Sequence, residues 1–129
     1  MKRRILVVDD DDAARKAVAF SLHTAAGWDV AEAYCGAQAI ESAKRDLPDA
    51  ILLDVMMPAM DGPATLGKLK STRVTSHIPI VLMTARAEVV TSGSLAHLPV
   101  AGVFLKPLDP HCLASQVAHA LGWEERGLS

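Results

Sequence analysis

Asp9, Asp10, Asp54 and Lys106 stand at the ends of three apolar runs far apart in the chain: Val7-Val8-Asp9-Asp10, Leu52-Leu53-Asp54 and Phe104-Leu105-Lys106-Pro107. An apolar run ending in a charged residue is how a buried parallel strand reads when its C-terminal tip carries a polar group. In open α/β sheets, ligands bind in the crevice outside those tips. Three carboxylates and one ammonium gathered at one sheet edge would make an acidic pocket with a cation beside it. Crowded like charges disfavour ionisation, so such a cluster persists only with a cation or a proton to neutralise it. Oxygen donors without a neighbouring histidine favour Mg²⁺ over zinc. Asp11 and Asp12 fit a plainer role, as a solvated loop and a helix cap.

Lys106 follows its strand directly and precedes Pro107. It is placed to pair with an aspartate or a phosphoryl oxygen, although a lysine in isolation there also reads as a snorkelling side chain. Thr84 closes another apolar run, Ile80–Met83, and is followed by the small Ala85. Its hydroxyl suits either a phosphoryl oxygen or a helix N-cap. Aspartate is a competent phosphoryl acceptor. An ionised carboxylate needs no separate base.

Five alternations of strand and helix must position these groups. The expected strands are Ile5–Val8, Asp29–Ala33, Ala50–Leu53, Ile80–Met83 and Gly102–Leu105. The first helix should bury Ala14, Ala17, Val18, Ser21, Leu22 and Ala25, with Gly27 as its stop. The second, Gly36 to Asp46, should present Ala39, Ile40, Ala43 and Leu47. Val55 to Gly62, punctuated by Pro58 and Gly62, reads as a loop. Pro63 fits the first turn of the third helix, with Leu66 and Leu69 inward. A weak fourth helix is expected between Glu88 and Leu98, interrupted by Gly93. The fifth starts at Pro110, carries Leu113, Val117, Ala118 and Leu121, and stops at Gly122. The reading is (βα)5: one α/β domain with a doubly wound parallel sheet. Right-handed crossovers then put every strand C-terminus on one edge.

Bulk properties agree. A chain of 129 residues, half of them hydrophobic, is sized for one core, and five aromatics make that core mainly aliphatic. The net charge of −2 argues against a binder of nucleic-acid backbones. The basic Met1-Lys2-Arg3-Arg4 is followed by too short an apolar run for a secretory leader or a membrane span, so a cytoplasmic protein is expected. Cys35 and Cys112 lack metal-ligand spacing and read as reduced thiols. The five histidines form no ligand-spaced pair on a helix.

Ile5-Leu6-Val7-Val8-Asp9-Asp10, Leu53-Asp54-Val55-Met56-Met57-Pro58-Ala59-Met60-Asp61-Gly62, Met83-Thr84-Ala85 and Lys106-Pro107-Leu108, in that order, resemble the receiver domain of two-component response regulators. The resemblance runs from about Arg4 to Gly122. It implies a flavodoxin-like strand order 2-1-3-4-5, a receiver domain over residues 1–122, and a short C-terminal tail over 123–129. It implies Asp54 as phosphoacceptor and Asp10 as a direct Mg²⁺ ligand, with Asp9 acting through water. The Met56 backbone carbonyl would complete the protein ligands, and Thr84 and Lys106 would bind the phosphoryl group. The implied donor is a phosphohistidine on a sensor histidine kinase or a histidine phosphotransfer protein. The protein would signal through contacts with a downstream protein and would not be an enzyme acting on a separate substrate. The seven residues after Gly122 are too few for a DNA-binding or enzymatic domain, which fits either a stand-alone receiver or part of a larger protein.

Two departures from the family pattern stand out. The aromatic often found three residues before the lysine is Val103 here, and Phe104 is one step out of register, so it should face the other side of the sheet. Met56 and Arg86 occupy places thought to tune phosphoryl lifetime, and together they lead us to expect a long-lived phosphoryl group. Two other classes compete. A phosphatase resembling haloacid dehalogenases would need an acid where Met56 stands. A pseudo-receiver would keep the fold as a scaffold without being phosphorylated.

Overall fold

In the computed structural model, residues 2–57, 60–93, 95 and 98–123 are described. In chain order the elements are β1 (Arg4–Val8), α1 (Asp12–Ala26), β2 (Asp29–Ala33), α2 (Gly36–Asp46), β3 (Ala50–Asp54), α3 (Gly62–Ser71), β4 (Ile80–Thr84), α4 (Ala87–Thr91), β5 (Gly102–Leu105) and α5 (Leu113–Leu121). The five strands form one parallel sheet in the order β2-β1-β3-β4-β5. This is the order that the resemblance implies.

Strand alternation divides the core into two layers. Leu6, Val8, Ile51, Leu53, Ile80 and Leu82 pack with Ala39, Ala43, Leu66 and Leu69 of α2 and α3. Ile5, Val7, Leu52, Val81 and Met83 pack with Val18 and Leu22 of α1 and with Leu113 and Val117 of α5. β3 and β4 are buried along their whole length, as central strands with helices on both faces must be.

Local chemistry sets the ends of the helices. The Asp11 side chain accepts from the amides of Ala13 and Ala14 and caps α1, and Gly27 closes it at φ 71°. Asp61 caps α3 by accepting from Ala64, with proline in the first turn. A Cβ on Gly62 would sit 2.6 Å from both the Asp54 carbonyl oxygen and Val55 Cα. We expect Gly62→Ala to cost about 2 kcal/mol by forcing the β3–α3 connection apart. A urea midpoint unchanged from wild type would contradict that.

Several expectations change. The buried stripe of α1 comprises Arg15, Val18, Ala19, Ser21 and Leu22, whereas Ala17 and Ala25 are exposed. A charged residue holds a core position because its guanidinium is fully engaged there, as described below. Leu47 is not part of the α2 stripe: it is the C-cap, at φ 46° and exposed, because Pro48 ends the helix behind it. α4 stops at Thr91, since Gly93 takes a left-handed φ of 70° just beyond Ser92. The expected extension toward Leu98 includes Ser94, Ala96 and His97, which lie outside the described residues, as does Pro58 of the expected loop. α5 begins at Leu113, not Pro110. Asp109 accepts from the amides of His111, Cys112 and Leu113, so residues 110–112 form a turn ahead of the helix. Of the expected tail, residues 124–129 lie outside the described residues. Trp123 is a packing residue. It meets the buried Trp28 edge-on at 5.3 Å between ring centroids, and Arg3 lies 4.2 Å above its ring.

Candidate functional site

Strand register brings the charged tips together. Val8 pairs with Leu53, so Asp9 follows β1 where Asp54 ends β3. Asp54 pairs with Met83 and Thr84 with Leu105, which places Thr84 and Lys106 at the same edge. The Lys106 amide donates to the Thr84 carbonyl at 2.7 Å. The side chains converge. Lys106 Nζ forms a hydrogen-bonded ion pair with Asp9 Oδ2 and lies 3.5 Å from Asp54 Oδ1. Asp9 and Asp54 are buried, at 1% and 5% exposure.

All four polar groups of Asp9 are in use. Its amide donates to the Ala33 carbonyl at 3.1 Å, and its carbonyl accepts from Arg15 Nη1 at 2.9 Å. Its Oδ1 accepts from the Asp11 amide at 3.0 Å, and its Oδ2 accepts from Lys106. Among the described residues, Asp54 Oδ1 accepts only a long contact from the Met56 amide, at 3.4 Å, besides the Lys106 ion pair. Asp10 is exposed. Asp9, Asp10 and Asp54 each place a carboxylate oxygen within 4.8 Å of the others. This oxygen-only donor set fits a hard cation.

Burial pushes the Asp54 carboxyl up to about 6, the nearby Asp9 charge adds to the rise, and Lys106 opposes it. Burial works to lower the Lys106 ammonium as well, but the hydrogen bond to Asp9 and the two carboxylate charges outweigh it and its pKa is raised. Because its folded pKa is raised, Asp54 binds its proton more tightly in the folded chain than in the unfolded one. Its contribution to stability therefore falls as pH rises from the ordinary carboxylate value of 3.8 through about 6. In EDTA, deprotonation of Asp54 should lower unfolding free energy by on the order of 2 kcal/mol between acidic and neutral pH. Asp54→Asn should remove most of it. An identical pH dependence in the two proteins would refute this assignment.

Thr84 is fully buried at the same edge, but its hydroxyl accepts the Arg86 amide at 3.1 Å. Among the described residues this hydroxyl shares no hydrogen bond with the side chain of Asp54 or Lys106. It does not cap α4 with its side chain; Arg86 holds the N-cap position. Met56 is 54% exposed, two residues beyond Asp54. Arg86 Nε donates to Glu88 Oε1 at 2.7 Å. Val103 and Phe104 pack on opposite faces, Val103 with the α2–α3 layer and Phe104 with the α1–α5 layer.

Sequence patterning did not single out Arg15 or Glu32. Arg15 is 7% exposed. Its Nε donates to Glu32 Oε1 at 2.9 Å and its Nη2 to Asp12 Oδ1, while Nη1 holds the Asp9 carbonyl. The available signal was an arginine three residues after an acid, in the first turn beyond an acidic strand tip.

The response regulator receiver domain model matches residues 5–118. The response regulator PleD of Caulobacter vibrioides is 43% identical over 123 residues, 91% of this chain and 26% of that protein. The response regulator MprA of Mycobacterium leprae is 45% identical over 86 residues, 67% of this chain and 36% of that protein. The chain therefore spans about a quarter to a third of these relatives. Among solved structures, chemotaxis protein CheY4 of Vibrio cholerae superposes with a TM-score of 0.84 at 25% identity, over 93% of this chain and 99% of that one. The N-terminal domain of a response regulator receiver protein from Methanoculleus marisnigri gives 0.74 at 30% identity, over 94% and 98%.

Proposed function

The chain belongs to the response regulator receiver domain family, and from that premise we propose that it is a phosphoacceptor switch of a two-component phosphorelay, phosphorylated on Asp54. The observation that carries this reading is the junction of Lys106 with Asp9 and Asp54 at the strand tips. Asp54 is buried yet sparsely hydrogen-bonded, and with a carboxyl pKa near 6 it is mostly ionised at neutral pH. It can therefore act as a nucleophile without a separate base.

In the transfer, an Asp54 carboxylate oxygen attacks the phosphorus of a phosphohistidine on a sensor histidine kinase or histidine phosphotransfer protein. A P–O bond forms, the P–N bond breaks, and its electron pair returns to the imidazole nitrogen. Lys106 would neutralise the incoming phosphoryl oxygens, and the Thr84 hydroxyl, whose oxygen accepts the Arg86 amide, would donate its own proton to one of them. Asp10, Asp54 and the Met56 carbonyl would hold Mg²⁺ directly. Asp9, with both carboxylate oxygens engaged, would act through water. Bound there, the ion supplies positive charge against the phosphoryl group.

Residues 1–122 are proposed as the receiver unit, acting in the cytoplasm and signalling through protein contacts. No helix among the described residues is long and apolar enough to cross a membrane. The reading makes the protein a switch whose only chemistry is on itself. The acidic partner that the haloacid dehalogenase alternative requires is absent, since Met56 occupies its position.

Incubation with acetyl phosphate and Mg²⁺ should add one phosphoryl mass to the intact protein, and EDTA should prevent the addition. No gain in mass would instead support the scaffold reading. Met56 beside the site, and Arg86 tied to Glu88 at its rim, lead us to expect a phosphoryl half-life of minutes or longer. Loss within seconds from purified phosphoprotein would count against this.

A further inference from the structure

The guanidinium of Arg15 grips the peptide that joins the two acidic residues of the β1 tip. Resting on the proposed function above, we infer that Arg15 is a positioning residue for metal binding: it fixes the Asp9–Asp10 peptide so that the Asp10 carboxylate is held toward Asp54. A helical side chain leans toward the N-terminus of its own helix. Arg15, in the first turn of α1, therefore reaches back over the β1–α1 turn.

Its Nη1 holds the Asp9 carbonyl oxygen at 2.9 Å. That carbonyl belongs to the peptide plane whose other end is the Asp10 nitrogen. With the Asp9 amide bound to Ala33 and Asp9 Oδ1 bound to the Asp11 amide, the plane is fixed from both sides. Asp10 itself is exposed, so the aim of its side chain depends on this backbone anchor. The other two arms of the guanidinium are tied to Glu32 on β2 and Asp12 on α1. Lys16 Nζ lies 3.6 Å from the same Glu32 oxygen. Asp12, Glu32, Arg15 and Lys16 together carry no net charge, so the contribution to the metal pocket is one of geometry and not of added field.

Lysine cannot reproduce this role. Its ammonium is a point charge, whereas the planar guanidinium reaches three acceptors in fixed directions. The test is isothermal titration of the full chain with MgCl₂ alone, without a phosphoryl donor, alongside melting temperature in EDTA. Wild type should bind one Mg²⁺. Arg15→Lys should weaken it about tenfold, the scale seen when groups that orient metal ligands are removed. Its melting temperature in EDTA should fall by only a few degrees, because lysine keeps the positive charge between Glu32 and Asp12 while losing part of the hydrogen bonding. Glu32→Gln, which keeps the shape but loosens the anchor, should weaken Mg²⁺ by a smaller factor and serves as the readout if Arg15→Lys does not fold.

Mg²⁺ affinity within twofold of wild type in the folded variants would overturn the inference. So would a loss of affinity that only tracks a loss of melting temperature. If wild type itself binds no Mg²⁺, the proposed function falls first, which separates the two failures.

Discussion

Asp54→Asn should abolish phosphorylation entirely while leaving the fold intact. With acetyl phosphate and Mg²⁺, wild type should gain one phosphoryl mass and the variant none. The amide lacks the anionic oxygen that attacks phosphorus, and no other aspartate at the edge can substitute for it. Asp9 is committed through both carboxylate oxygens, to Lys106 and to the Asp11 amide. Asp10 is exposed and lies off the sheet. The substitution also relieves the repulsion between Asp9 and Asp54, so the variant should be at least as stable as wild type at neutral pH without metal. This stability makes a lost mass gain informative: it cannot be blamed on unfolding. Residual phosphorylation of Asp54→Asn would move the acceptor to another residue and undo the proposed chemistry.

Lys106→Met should produce the largest loss of stability among single changes at the site. It leaves Asp9, 1% exposed, without its cationic partner, and Asp54 without the charge that opposes its raised pKa. Removing one member of a buried pair costs about 3 kcal/mol, because the remaining charge stays desolvated. Partial exposure of Lys106 keeps the expectation near that lower figure. Adding Asp9→Asn to Lys106→Met should recover most of the loss, since the stranded charge is then gone. Urea unfolding of wild type, both single variants and the double variant in EDTA measures this coupling. If the double variant loses the sum of the two single losses, the ion pair is not what stabilises the edge. Phosphorylation should also slow sharply in Lys106→Met, because the incoming phosphoryl group loses its fixed cation.

The strand tips were legible because burial on both faces makes parallel strands read as unbroken apolar runs. Each charged residue that ends such a run is thereby marked. The strand order and the role of each tip were not marked in that way; they came from resemblance. Helices were less legible in detail. Helical spacing alone puts Ala17 and Ala25 in the core, but small residues carry little information about which way a helix faces, and both are exposed. Arg15 was invisible to hydrophobic patterning. It occupies a buried helix position only because acceptors just past β1, on α1 and on β2 surround it, and no one-dimensional period records such a convergence. Leu47 misled for a related reason: its apolar character fitted the α2 stripe, while Pro48 had already fixed the chain's exit. The fourth helix reads as weak in the sequence because of Gly93, and it ends just before that glycine.

The two tryptophans sit together at the end of the sheet where the strands begin. Trp28 precedes β2 and Trp123 follows α5, and the acidic tips are at the opposite edge. Intrinsic fluorescence should therefore report melting of the whole domain and stay silent when an ion or a phosphoryl group arrives. An emission change on phosphorylation would mean that rearrangement had travelled the full length of the strands.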